Sequence, residues 1–367
     1  MLWRQLLLVA MDEILVSIKK LLLSILLIFS VAGNCHAEST VSISKIYVIP
    51  SIILPKVNVN LGGLSDLVAI SEDEFYVITD RGPNGKIQTD DGKFRTLLSP
   101  DFQPIIVKIG INKSLDSAYV QTYQYIKGQL GYCTGKPDSD RVDTILNSDG
   151  TKIIEPDIDG IDPEGLVQLS NGSFIITEEY GPSILIGEDR FYLLPERRDN
   201  RGLEAVSLSP DEKYLWTMLQ SPTDTASKNI PFVIFDLENK NISRLLYYRL
   251  EDDAEDGKVC CMSTLDDHTV LVLEQSDTTN AAFYKFDLNN HSKELFARLD
   301  NILPQMASDI TNGEWQPKAG ELITGLKIEG MALLDENTIV IVNDNDFNLE
   351  PEELILRNCL WILKIND

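Results

Sequence analysis

The stretch Lys327–Asp346 reads KIEGMALLDENTIVIVNDND. A short apolar run, Met331–Leu334, leads into the polar turn Asp335-Glu336-Asn337, and a second run, Thr338–Val342, follows. Two such runs joined by a few turn residues predict an antiparallel β-hairpin. Its polar groups stand only at the two ends, Glu329 on one side and Asn343-Asp344 on the other. The start of the first strand and the end of the second are neighbours in an antiparallel pair. These groups are therefore expected to share one rim.

The pattern recurs four more times. Asp66 opens DLVAISEDEFYVITD, Glu164 opens EGLVQLSNGSFIITEE, Glu204 opens EAVSLSPDEKYLWTMLQ and Cys260 opens CCMSTLDDHTVLVLE. Fourteen positions separate Asp66 from Asp80, Glu164 from Glu178, Cys260 from Glu274 and Glu329 from Asn343. The Glu204 copy reads as two residues longer in its Ser209-Pro210-Asp211 turn, which puts its polar end at Gln220. Second strand pairs lie between the copies, and lone strands stand near the start (KIYVIPSIILP) and at the end (CLWILKI). Two hairpins in succession make a four-stranded antiparallel sheet, and such sheets repeated around an axis make a β-propeller. The expectation is an all-β fold of five visible blades, with the N-terminal strand completing the last blade beside CLWILKI. Stretches 126–160 and 302–325 read as loops, either of which could hold a sixth blade. No segment of convincing length has a helical period.

If the repeated hairpins are innermost, their acids converge on one mouth. Carboxylates so close repel unless protons, cationic side chains or a bound ion compensate them. Oxygen-only donors at high density favour Ca²⁺ ahead of Mg²⁺. Two further clusters, Asp157–Glu164 and Asp344–Asn348, resemble fragments of a calcium loop; turn-capping by Asp and Asn is the alternative.

The 367 residues are 43% hydrophobic, enough for a large core. Lys19-Lys20, the apolar LLLSILLIFSVAG and Asn34-Cys35-His36-Ala37 read as an export signal over residues 1–37, with Met1 or Met11 as the start. The apolar run is shorter than the ~20 residues that span a bilayer, so no lasting membrane insertion is expected. Removing 1–37 takes away Arg4, Lys19, Lys20, Asp12 and Glu13 and moves the net charge from −25 to −26. So acidic a chain is not expected to bind nucleic acid. The remaining domain, 38–367, is expected in the periplasm or outside the cell. Its cysteines, Cys133, Cys260, Cys261 and Cys359, lack zinc spacing, and their pairing is open.

Seven stretches carry a resemblance: GGLSDL (62–67), YVITDRGPNG (76–85), DPEGL (162–166), FIITEEYGPSI (174–184), NRGLEAVSLSP (200–210), KIEGMALLD (327–335) and IVNDNDF (341–347). Their order resembles the phytase-like, or esterase-like, propeller family of exported proteins. The resemblance implies hydrolysis of phosphate or other esters. Two departures stand out: Ala205 replaces a glycine, and Cys260-Cys261 opens a blade without an acid.

Other hydrolase schemes lack their parts. Only His268 and His291 follow the signal, both in turns, and no Gly-x-Ser-x-Gly elbow is present. Metal-assisted hydrolysis remains, with a carboxylate-held cation and a free carboxylate as general base. The expected ligands are Asp80, Glu164, Glu178, Glu329, Asn343 and Asp344. Glu179 and Glu204 are expected to act in catalysis. Arg81 would grip a substrate phosphate through its fork, unless it pairs with a rim acid. Tyr180, Asn200 and Arg201 are expected to contact a small ester or phosphoester. The alternatives are a non-catalytic scaffold propeller with a structural calcium ion, or a calcium-dependent lactonase.

Overall fold

The computed structural model describes residues 39–366 apart from 55, 91, 140–143, 195, 252–256, 277–279, 315–325 and 349–354. The export signal expected over 1–37 lies outside the described residues. Strand β1 (Thr40–Ile49) is followed by a short pair, β2 (Ile53–Leu54) and β3 (Val59–Asn60). The chain continues through β4 (Leu64–Ser71), β5 (Glu74–Thr79), an inserted hairpin of β6 (Asn84–Thr89) and β7 (Gly92–Leu97), then β8 (Ile105–Asn112) and β9 (Ser117–Tyr125). Sheet 1 is β4-β5-β8-β9, and β10 (Ile145–Asn147) adds to the inserted hairpin in parallel with β7. Sheet 2 is β11 (Pro163–Gln168), β12 (Phe174–Glu178), β13 (Ser183–Ile186) and β14 (Asp189–Tyr192). Sheet 3 is β15 (Leu203–Leu208), β16 (Tyr214–Leu219), β17 (Asn229–Asp236) and β18 (Asn241–Arg249). Sheet 4 is β19 (Lys258–Thr264), β20 (Thr269–Gln275), β21 (Ala281–Asp287) and β22 (Lys293–Arg298). Helix α1 (Leu303–Ile310) precedes sheet 5, in which β23 (Lys327–Asp335), β24 (Thr338–Asp344) and β25 (Asn358–Asn366) are joined by β1.

The first and last described strands are thus laced into one sheet, with β1 antiparallel to β25 from Thr40↔Asn366 to Ile49↔Asn358. The first strands also meet: β4 touches β11, β11 touches β15, β15 touches β19, β19 touches β23, and β23 touches β4. Apolar clusters fill the spaces between successive sheets. Val107 and Phe75 of sheet 1 pack with Val340 and Leu360 of sheet 5, and Ile78 packs with Leu166 and Ile176 of sheet 2. A strand between two such layers is covered on both faces. This is why β24 is buried along its whole length and reads TIVIV without alternation. The outermost β18 is mostly exposed. Each large side chain buried this way, such as Phe75, contributes about 1.5–3 kcal/mol.

The first strands approach so closely that some positions exclude a side chain. A Cβ on Gly330 would lie 2.7 Å from the Leu67 nitrogen, and one on Gly165 would lie 2.9 Å from the Glu204 carbonyl. The Asp66 carboxylate bridges the same gap, accepting the Leu166 N–H at 2.8 Å.

Three expectations need correction. The stretch 302–325 contains α1, whose Leu303, Met306, Ala307 and Ile310 are buried. Its eight residues are too few for a visible period, and Pro304 sits where proline suits a helix start. The stretch 126–160 contributes β10 to the inserted hairpin, which the sequence reading missed despite its Asp-Asp-Gly turn. The repeat register is also shifted. Each first hairpin slips by one residue near its start, at Ser65, Glu164, Glu204, Cys260 and Glu329. Ser65, and not Asp66, is therefore the equivalent of Glu164. The Ser209 turn is longer by one residue, not two, because Leu208 pairs with Leu215 where Gln168 pairs with Phe174.

Candidate functional site

A β-bulge leaves one residue without a cross-strand partner and re-aims its side chain. Here the bulged residues of sheets 2, 3 and 5 are Glu164, Glu204 and Glu329. At the far end of each hairpin, the residue following the partner of the pre-bulge position is Asp80, Glu179, Gln220, Gln275 or Asp344, the last two themselves paired with Lys258 and Lys327. All six of these acids line one cavity of about 430 Å³. The sequence-predicted convergence of Asp80, Glu164, Glu179, Glu204, Glu329 and Asp344 is therefore what the geometry brings together.

The cavity is not uniformly acidic. Lys258 pairs with Glu329 at 2.9 Å, and Lys327 pairs with Asp344 at 3.4 Å and with Asp346. Arg81 is buried, pairing with Asp162 at 2.6 Å and Glu179 at 3.5 Å and donating to Asn200 Oδ1 at 2.5 Å. Its fork is engaged by the protein, which is the alternative reading and not a free phosphate grip. Burial works against an ionised Glu179, yet Arg81 and Arg95 hold its pKa below the usual carboxylate range. Burial and then the neighbouring Glu329 push Glu204 well above it. Burial, aided by Glu204, does the same to Glu164, and burial with Asp344 does so to Asp80. Burial, reinforced by Asp346, raises Asp344 to about 7.

Several buried oxygens are left over. Glu204 Oε1 accepts from Gln220 at 2.6 Å, while Oε2 has no hydrogen-bond donor among the described residues. Glu329 Oε2 is in the same state, and Glu179 Oε2 has only the 3.5 Å approach of Arg81. A buried polar atom without a partner costs about 1–3 kcal/mol. Carboxylate oxygens of Asp162, Glu164 and Glu179 also lie within 4.8 Å of one another. An all-oxygen donor set with unpartnered atoms suits a hard divalent cation.

Two expected ligands point elsewhere. Glu178 is fully buried on the opposite face, accepting from Ser183 Oγ at 2.6 Å and from the Tyr180 and Gly181 N–H groups. Burial lifts its pKa to about 8. Asn343 accepts the Cys359 N–H at 2.8 Å and donates to the Arg357 carbonyl. The reason is the strand period: consecutive residues face opposite sides, so Glu178 and Glu179 cannot share a mouth. Tyr180, expected at the substrate, is buried and donates its hydroxyl to the Gly135 carbonyl at 2.7 Å. Asn200 and Arg201 do line the cavity, with Arg201 donating to Gln220 Oε1.

The two loop clusters divide: Asp162 and Glu164 of the first and Asp344 of the second belong to the acidic set above, whereas the other members bond to protein groups. Both Asp159 oxygens accept backbone N–H groups, from Gln129 and Leu130, and Asp157 accepts from Thr134 and the Asp159 N–H. Asn345 accepts the Phe347 N–H, and Asp346 pairs with Lys327. Cys133, Cys260, Cys261 and Cys359 are buried and unpaired, and His268 sits in an exposed turn between Asp266 and Asp287.

The family model for phytase-like proteins, described as esterase-like activity of phytase, matches residues 59–347. The chain belongs to this family. No curated protein matches it significantly. Solved structures with a similar chain path include a periplasmic gluconolactonase from Pseudomonas aeruginosa, at 10% identity and a TM-score of 0.37, covering 84% of this chain and 89% of that one. A protein of unknown function from Dyadobacter fermentans has 10% identity, a TM-score of 0.42 and coverage of 89% and 99%. An α-L-arabinofuranosidase from Podospora anserina has 9% identity, a TM-score of 0.42 and coverage of 90% and 97%. At these values the likenesses say nothing about chemistry. No helix among the described residues is long and apolar enough to cross a membrane.

The sequence reading missed a second set of cavity residues. Asn84, Lys86 and Arg95 come from the inserted hairpin, Arg198 from the loop before β15, and Lys258 and Lys327 begin β19 and β23. The last two were findable, since each stands two residues before a bulge position. Lys86 and Arg95 were not, because nothing in their order links them to the repeats.

Proposed function

We propose that the protein is an exported hydrolase of phosphate or other small esters, working at the carboxylate-lined cavity with a divalent cation, Ca²⁺ ahead of Mg²⁺. In this reading the five sheets are the blades of a propeller closed by β1, and the cavity is the mouth of its channel. The observation that carries the reading is the set of unpartnered oxygens on buried Glu179, Glu204 and Glu329 in one cavity wall.

Glu164 and Glu179, with Asp162 beside them, would hold the cation, with Asp80 and Asp344 as further donors. The bound cation would draw charge from an ester or phosphoryl oxygen and make nearby water more acidic. Glu204, with a free Oε2 and a raised pKa, is suited to accept a proton from that water. Arg81 acts through others, fixing Asp162 and Glu179 in place and favouring the ionised form of Glu179, while burial raises Asp162 to about 7.

The test compares metal-loaded and chelated protein on p-nitrophenyl phosphate, p-nitrophenyl acetate, phytate and a lactone. Turnover that stops with chelator and falls about a hundredfold or more in Glu164→Gln, with unchanged melting, is expected. Hydrolysis of the lactone alone would redirect the reading to a lactonase. No turnover of any substrate, with a melting temperature that drops on chelation, would replace it with a scaffold propeller.

A further inference from the structure

Lys86 and Arg95 face each other directly across the inserted hairpin, as register partners of β6 and β7. Like charges in this position destabilise an antiparallel pair. Both side chains line the cavity, and neither makes an ion pair among the described residues. The Arg95 side chain has a single hydrogen bond among the described residues, from Nη1 to Asn84 Oδ1 at 3.0 Å. The acids whose charge they feel have closer partners: Asp346 pairs with Lys327, and Glu179 and Asp162 pair with Arg81. The repulsion is felt, since Arg95 is the main cause holding Lys86 below its ordinary pKa.

The hairpin backbone that carries the two charges is fastened at its base. β10 is paired along β7, and Leu97, Ile145 and Tyr180 form a buried cluster that fastens the hairpin base to sheet 2. The Leu98 N–H is bonded to the Pro83 carbonyl at the neck. Lys86 is exposed and Arg95 half-buried, and the repulsion between these neighbouring cations at the cavity edge is relieved when an oxyanion lies between them. Arg supplies a planar fork and Lys a point charge, which together suit a group with several equivalent oxygens.

We propose that Lys86 and Arg95 form an anion clamp for a phosphate or carboxylate group of the bound molecule, making the inserted hairpin the element that sets substrate specificity. Calling that molecule a substrate rests on the hydrolase reading; the anion site itself does not. The floor of the cavity would engage the reacting bond and the clamp an oxyanion, so an ester lacking one would gain nothing from the hairpin.

The experiment measures melting of metal-stripped, chelator-free protein with inorganic phosphate or succinate, in wild type, Lys86→Gln and Arg95→Gln. Without anion, Lys86→Gln is expected to melt no lower than wild type, because a repulsion has been removed, whereas Arg95→Gln also removes a charge that favours ionised Glu179 and is read only for its response to anion. Saturating anion is expected to raise wild-type melting by roughly 2–5 °C and to leave both variants unmoved. A response to phosphate alone or to succinate alone identifies the oxyanion. Equal shifts in wild type and variants, or no shift in wild type, would overturn the clamp. If the protein proves to be a hydrolase, KM for p-nitrophenyl phosphate should rise about tenfold in Lys86→Gln, with KM for p-nitrophenyl acetate unchanged. Equal changes in both KM values would also overturn it. A lack of all turnover would remove the hydrolase reading while the melting shifts still decide the clamp.

Discussion

Sheets 2 and 4 place different chemistry at the same two backbone positions. Sheet 2 offers Glu164 at the bulge and Glu179 at the strand end, both lining the cavity. Sheet 4 offers Cys260 and Gln275 there. Gln275 is used structurally: its oxygen accepts the Ile328 N–H, and its amide donates to the Leu326 carbonyl, tying sheet 4 to sheet 5. The bulge is thus a geometric device that any side chain can occupy. Chemistry depends on whether the occupant is left with unpartnered atoms, as in sheet 2, or is consumed in bonding to its neighbour, as in sheet 4. The acidic half of the cavity runs through sheets 5, 1, 2 and 3, and sheet 4 contributes the cation Lys258.

The strongest way to break this contrast is to remove the charge on which the sheet 2 side depends. Arg81→Ala leaves buried Asp162 without its ion-pair partner, removes the first of the cations acting on Glu179 and should cost about 3–5 kcal/mol in urea unfolding. A loss under 1 kcal/mol would mean the pair is dispensable. On the sheet 4 side, Gln275→Ala strands two backbone groups and should cost about 1–3 kcal/mol while leaving cation affinity unchanged by calorimetry. A weakened cation would show that sheet 4 belongs to the binding site. The close approach of first strands gives a third comparison. Gly330→Ala drives a Cβ into the Asp66–Leu67 backbone and should cost about 1–3 kcal/mol, whereas Ala205→Gly should cost under ~1 kcal/mol. Similar costs at the two sites would argue against unequal crowding.

The smallest effect is one of pH and lies outside the cavity. Asp211, in the β15–β16 turn, has its pKa drawn from 3.8 to about 2 by hydrogen bonds from Lys213 and Ser209. A depressed carboxylate contributes stability that is present above pH 3.8 and is lost as pH falls through 2. Asp211→Asn should therefore lower the melting temperature slightly at pH 5 and not at all near pH 2. An equal drop at both pH values would assign the effect to the lost shape of the turn.

The repeated hairpin was legible because a strand covered on both faces must stay apolar between its polar ends, and Glu329 and Asp344 mark those ends in one stretch. The all-β class and the meeting of Glu164, Glu204 and Glu329 followed from it. The exact register was not legible, since a bulge adds one residue without a sequence mark; that is how Asp66 was mistaken for the equivalent of Glu164, and Glu178 for a cavity residue. Helix α1 was too short to declare itself. The sequence by itself determined which kinds of side chain stand at the strand ends, because local patterning sets where strands begin and turn. Only the tertiary structure decided which of those groups remain unpartnered: Arg81 and Lys258 reach acids far along the chain, and Lys86 and Arg95 line the cavity from a hairpin that packs on Tyr180 in the β12–β13 turn.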